Sequence, residues 1–137
     1  MSEQYKTAAK NLIEQGFNQK DLKAFDSYYS SKLIDHNPVP GLPEGLEGRK
    51  MFASAFFAAF PDLHVHIDDM FTEGDKLVAR WSGHGTHTGE LMGIPPTGRQ
   101  VSIRGTVIDR FENGQAVEIW EVIDQAGLMQ QLGVIPT

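Results

Sequence analysis

Cysteine is absent from the 137 residues. That excludes disulfides, thiolate nucleophiles, iron–sulfur clusters and cysteine-ligated zinc together. Basic residues are scarce: 12 Lys and Arg stand against 18 Asp and Glu, a formal net charge of -6. An acidic chain with no basic run grips phosphate backbones and anionic bilayers poorly, so neither nucleic acid nor a membrane is an expected partner. No apolar run is long enough to span a bilayer, and MSEQYKTAAK lacks the apolar core of a signal peptide. A cytoplasmic location is the expectation. The chain also has no Gly-rich phosphate loop, G-x-S-x-G, H-E-x-x-H or EF-hand pattern. Nucleotide, metal and nucleophilic-serine chemistry are therefore without support.

What is present is ordinary globular composition, 40% hydrophobic and 22% charged. The length suits one domain over residues 1–137. Helical spacing crowds the first part of the chain and strand spacing the remainder, which reads as α+β. A first helix is predicted from Ser2 to Gly16, with Tyr5, Ala9, Leu12 and Ile13 on one stripe. A second is predicted from an Asn18 N-cap, carrying Leu22, Phe25 and Tyr29. A short extended piece, Leu33 to Asp35, leads to His36-Asn37-Pro38 and a proline-rich loop. A third helix from about Leu46 carries Phe52, Phe56 and Phe60 until Pro61 stops it, and is expected to be the most buried. From Asp62 the period becomes two. Strands are expected near 63–68, 76–87, 101–111 and 116–124, with Asn113-Gly114 as a hairpin turn and a short helical tail after Gln125. Together these suggest a curved antiparallel sheet wrapped over three N-terminal helices.

The last strand divides by parity. One face carries Val117, Ile119, Glu121 and Ile123, aliphatic but for one carboxylate; the other carries Glu118, Trp120, Val122 and Asp124. A carboxylate among aliphatic neighbours loses hydration, which favours its neutral form and suits it to proton transfer beside a carbonyl. Glu121 is thus a candidate general acid/base, with Val107 beside it and Gly105 leaving space for a ligand. If a bulge shifts the parity, Trp120 and Asp124 face inward and Asp124 becomes the acid. His36 and Asn37, at a strand-to-loop junction, are candidates to point polar groups into the cavity mouth. His87 and Trp81 are further candidates to line the cavity, and Phe56 is the edge of the third helix that would reach a ligand. Arg80 is expected to pair with an acid such as Glu118 or to clamp an anion. His64 and His66 share a strand face, but no third metal ligand follows at a fitting spacing.

With these residues in place, the chain resembles the SnoaL-like family of small polyketide ester cyclases and their relatives. The resemblance rests on Gly93-Ile94-Pro95-Pro96-Thr97-Gly98-Arg99, on Phe111-Glu112-Asn113-Gly114, and on Gln125-Ala126-Gly127-Leu128-Met129-Gln130-Gln131-Leu132-Gly133. Asp35-His36-Asn37-Pro38 and Phe60-Pro61 also fit. The resemblance implies a nuclear transport factor 2-like fold, a cone-shaped half-barrel closed by helices around an apolar cavity. It implies a homodimer, a small hydrophobic ligand, and neither cofactor nor metal. It also places the acid/base of the family's cyclases at Glu121, with Glu in place of Asp. The cyclases carry a histidine where this chain has Val107 and a polar residue where it has Gly105. Three roles stand open on this fold: a cofactor-independent acid/base enzyme of cyclase or isomerase type, using Glu121 and His36; a non-catalytic binder of a small hydrophobic molecule; and a structural or interaction domain whose cone is filled by side chains.

Overall fold

A computed structural model describes residues 2–136. Helix α1, Ser2–Asn11, buries Tyr5 and Ala9. It does not end at Gly16 as the spacing predicts; the chain widens into a π-helical stretch over Leu12–Asn18. Packing explains the difference. A side chain at Gly16 would press on the Phe25 ring at 3.0 Å, and Phe17 sits against Phe25 and Phe57. Asn18 does not cap the second helix. Its side chain clasps strand β2 instead, donating to Val65 O at 2.9 Å and accepting from Val65 N at 2.7 Å. Helix α2 accordingly starts later, at Lys23–Tyr28, with Asp21 Oδ1 accepting from Lys23 N.

Strand β1, Tyr29–Asp35, follows without a loop. The proline-rich segment then leads into α3, Gly45–Ala59. Strands β2, His64–Glu73, β3, Lys76–Thr86, β4, Gln100–Glu112, and β5, Gln115–Ile123, complete one sheet of order β1-β5-β4-β3-β2. Helix α4, Gln125–Leu132, closes the described chain, with Asp124 as N-cap and Gly133 in the left-handed C-terminal position. The β4–β5 turn has Asn113 at φ 51° and Gly114 at φ 81°. Those are the two positive angles a type I′ hairpin needs, and Asn-Gly supplies them at least cost. The long strands pair antiparallel, while β1 joins β5 in parallel at the edge.

Two apolar clusters fill the concave side. One gathers Tyr5, Phe25, Tyr28, Tyr29, Leu77, Phe111 and Ile119 beneath α1 and α2. The other gathers Phe60, Leu63, Val65, Val101, Ile103, Leu128 and Leu132 beneath α4. Phe25 and Phe60 are fully buried, each worth roughly 2–3 kcal/mol by area. Between the clusters the packing stops short. Phe52 and Phe56 of α3 are only half-buried because they line a cavity rather than fill the core. The third helix is therefore not the buried element its composition suggests; Gly48, Ala53 and Ala59 are its buried positions.

Candidate active site

The cavity lies between the concave face of the sheet and helices α1–α3. Its wall is aliphatic and aromatic, with Leu12, Phe25, Phe52, Phe56, Ile67, Leu77, Val107 and Ile123 among its lining residues. Polar groups enter at a few points only. Parity in β5 turns Ile119 and Glu121 inward, opposite Asp109 and Val107 of β4. Glu121 is not the isolated carboxylate its strand neighbours suggest. Arg49 Nη1 donates to its Oε1 at 3.0 Å, and Trp81 Nε1 donates to its Oε2 at 3.0 Å. Both side chains of the Arg49–Glu121 pair retain only 12% exposure. Burial alone would lower the Arg49 pKa, but Glu121 and Tyr29 outweigh it and hold the guanidinium above its usual range. Arg49 Nε also donates to Tyr29 Oη at 2.8 Å, and the guanidinium carbon lies 5.2 Å from the Tyr29 ring centre.

A second carboxylate, Asp109, lies deeper. It is 3% exposed, and its Oδ2 accepts from Tyr28 Oη at 2.5 Å while Oδ1 has no partner. Burial pushes its carboxyl up to about 7, against the opposing pull of the Tyr28 hydrogen bond and Arg49. Burial, with Asp109 next, raises the Tyr28 phenol as well. Arg49, Phe52, Glu121 and Ile123 are shared between this cavity and a more polar outer recess lined by Asp35, Asn37, Pro38 and Gln125. Glu121 thus stands in the partition between an apolar chamber and the exterior. Asn37 fixes that part of β5 by accepting from Glu121 N at 2.9 Å.

The sequence pattern of the SnoaL-like polyketide cyclase family matches residues 7–132. This chain belongs to that family. Aklanonic acid methyl ester cyclase DnrD of Streptomyces peucetius is 27% identical over 110 residues, covering 77% of this chain and 72% of that protein. The structure of TsrD from Streptomyces laurentii superposes with a TM-score of 0.88 at 28% identity, covering 97% of each chain. IdmH from Streptomyces antibioticus gives a TM-score of 0.81 at 30% identity, covering 95% of this chain and 99% of that one.

In this SnoaL-like chain, Glu121, Trp81, Phe56 and Val107 line the cavity, and Asn37 lies in the adjoining recess. Four other candidates do not line the cavity. His36 follows the end of β1, where Ile34 and Asp35 align with Glu118 and Ile119. It therefore falls beside Trp120 on the outer sheet face, rings stacked at 4.6 Å, with its Nε2 2.7 Å from Glu118. Trp120 is outward for the same reason. His87 comes one residue after β3 ends, so strand parity no longer governs it. It is fully buried beneath the Gly93–Gly98 loop, where Thr97 N donates to its Nδ1 and its ring packs on Phe60. Asp124 spends its carboxylate on Gly127 N at the start of α4. Nor does Arg80 meet Glu118: it lies exposed, 3.7 Å from Asp68, and Arg110 takes Glu118 instead. Among the described residues, no group of three or more His, Asp or Glu could hold a metal ion, and no helix is long and apolar enough to cross a membrane.

Gly105 does not leave room for a ligand. A Cβ there would meet Trp81 Cζ2 at 2.5 Å, so the missing side chain is the space the indole occupies on its way to Glu121. Gly105→Ala should therefore displace Trp81, shift its fluorescence and destabilise the fold by about 1–3 kcal/mol. Emission spectra and urea titration check this; an unshifted spectrum would show that the indole has room to spare.

Proposed function

We propose that the chain is a cofactor-independent acid/base enzyme, of cyclase or isomerase type, working as one domain on a small hydrophobic carbonyl compound. The observation that carries this reading is Glu121: a carboxylate held by Arg49 and Trp81 at the wall between an apolar chamber and a polar recess. In that position one carboxylate oxygen takes the proton from a carbon next to the substrate carbonyl. The C–H electron pair moves into the enolate, whose carbon attacks a second carbonyl in ring closure or is reprotonated elsewhere in isomerisation. Glu121 then returns the proton, and Arg49 offsets the carboxylate charge throughout. The same reading includes a homodimer formed through the outer sheet face, where Ile34 is 53% and Val122 70% exposed beside Trp120.

The test follows exchange of carbon-bound protons for solvent deuterium in a panel of polyketide-type keto esters, aklanonic acid methyl ester among them. Glu121→Gln should lower the rate by at least about 100-fold. Equal exchange by the variant and the parent protein would sink the assignment. The binding-only alternative draws on one observation, that both Glu121 oxygens are already engaged. It predicts that every bound compound is recovered unchanged and unexchanged.

A further inference from the structure

We propose that Asp109, backed by Tyr28, is a second proton-carrying group of this cavity, placed to give a proton to a substrate oxygen at the inner end while Glu121 works at the partition. The inference rests on the acid/base reading of Glu121 and adds to it the group that would protonate the oxygen.

Position comes first. On β4, Asp109 lies two residues from Val107, whose partner across the ladder is Glu121. The two acids therefore share the concave face as diagonal neighbours, with backbones about 7–8 Å apart. Both line the same cavity, and no hydrogen bond joins them. A single carbonyl compound in the chamber can touch one acid with its acidic C–H and the other with its oxygen.

Hydrogen bonding comes second. Tyr28 occupies one carboxyl oxygen of Asp109, and the other is buried without a partner. A structural carboxylate is normally satisfied on both oxygens. When protonated, Asp109 carries an O–H for which no protein group is within hydrogen-bond distance, on a residue that lines the cavity.

The surroundings favour the protonated form. Leu77 and Ala79 of β3, Ala9 of α1 and Leu12 of the π-helical stretch line the same chamber and bring no charge. The titratable groups around Asp109 are Tyr28 of α2, Tyr29 of β1, Arg49 of α3 and Glu121 of β5. Arg49 is the only cation among them, and Glu121 holds it with a direct ion pair. Burial accordingly brings the Asp109 carboxyl up to about 7, where it exchanges a proton under ordinary conditions.

The step balances without an oxidant. Glu121 takes a proton from carbon as the C–H pair becomes the enol double bond. The carbonyl π pair moves onto oxygen, which takes the proton of Asp109. Glu121 is left neutral and Asp109 ionised. Reverse transfer at a second carbon restores both in isomerisation; in ring closure the new alkoxide takes the proton of Glu121, and the enol oxygen returns its proton to Asp109 as the carbonyl re-forms.

The experiment uses whole protein with ¹³C-labelled aspartate carboxyls and 2-acetylnaphthalene as the carbonyl probe, its methyl protons lying next to the carbonyl. One carboxyl resonance should titrate near neutrality, vanish in Asp109→Asn, and move its midpoint upward when the probe binds. Exchange of the methyl protons should lose its alkaline limb in Asp109→Asn and slow about tenfold or more in Tyr28→Phe. A wild-type protein in which every aspartate titrates in the ordinary acidic range overturns the proposal, and needs no variant to fold. A wild-type pH profile in Asp109→Asn, with exchange abolished in Glu121→Gln, overturns it while leaving the Glu121 reading intact. Exchange that survives in Glu121→Gln but responds to Asp109→Asn defeats the Glu121 reading instead. If the probe exchanges with no variant, its affinity decides. A fall of about tenfold per pH unit above neutrality in the parent, absent in Asp109→Asn, supports the proposal; identical pH dependence overturns it.

Discussion

Arg49→Met should lower the unfolding free energy by about 3–5 kcal/mol, the cost of leaving a buried carboxylate without its counter-ion. The two side chains of the pair are each 12% exposed, so water cannot take over the role of the guanidinium. The loss is compounded at Tyr29, whose buried hydroxyl accepts from Arg49 Nε and would be left with one partner fewer. Methionine keeps most of the apolar stem, so lost packing contributes little. The control is the double variant Arg49→Met/Glu121→Leu, which removes both charges and should regain most of the stability. Urea titration at constant m-value measures both. A single-variant loss under about 1 kcal/mol would mean that Glu121 finds water or another donor, and the partition would then be wetter than its lining suggests.

The pair also shows where reading the sequence reaches its limit. Inward parity of Ile119 and Glu121 is legible because the Asn113-Gly114 turn pins the register of the β4–β5 hairpin. Of the two partners of Glu121, Trp81 is legible as a cavity residue and Arg49 is not. Arg49 stands three and seven residues before Phe52 and Phe56 on the same helix stripe, and a charge at the head of an apolar stripe reads as its solvated end. Asp109 continues the Val101, Ile103, Gly105, Val107 alternation by one step, so the same parity that singled out Glu121 extends to it. Tyr28 and Tyr29 are different. Both are buried although adjacent, because the chain changes from helix α2 to strand β1 between them, and no single period describes that junction. His36 and His87 failed for a related reason: each lies just past the end of a strand, where alternation no longer fixes which way a side chain points. The long antiparallel strands β2 to β5 are readable throughout, since they depend on long periodic segments, whereas β1, which lies between α2 and α3 and joins β5 in parallel, reads only as a short extended piece.

The largest pH effect on stability should come from Asp109, and its sign is opposite to that of a salt-bridged acid. Its carboxyl sits at about 7 in the folded chain against an ordinary 3.8. Between those values the folded state holds a proton that the unfolded state has released, so stability falls as pH rises through the interval. At ~1.4 kcal/mol per pH unit the gap amounts to something on the order of 4 kcal/mol, fully lost only above about pH 7. Asp62 and Glu118 work the other way. Thr86 holds the Asp62 carboxyl below its usual range, and His36 with Arg110 does the same for Glu118. Their contribution is lost as pH falls through the acidic range, and both are solvent-screened. The difference between the parent protein and Asp109→Asn cancels these acids and isolates the one of interest. That difference should be flat below about pH 4, grow in favour of the variant up to about pH 7, and level off beyond. Denaturant titrations at a series of pH values trace the curve directly. A flat difference across the whole range would place the Asp109 proton on an ordinary acid, and the inner wall of the cavity would then carry a fixed negative charge instead of a transferable proton.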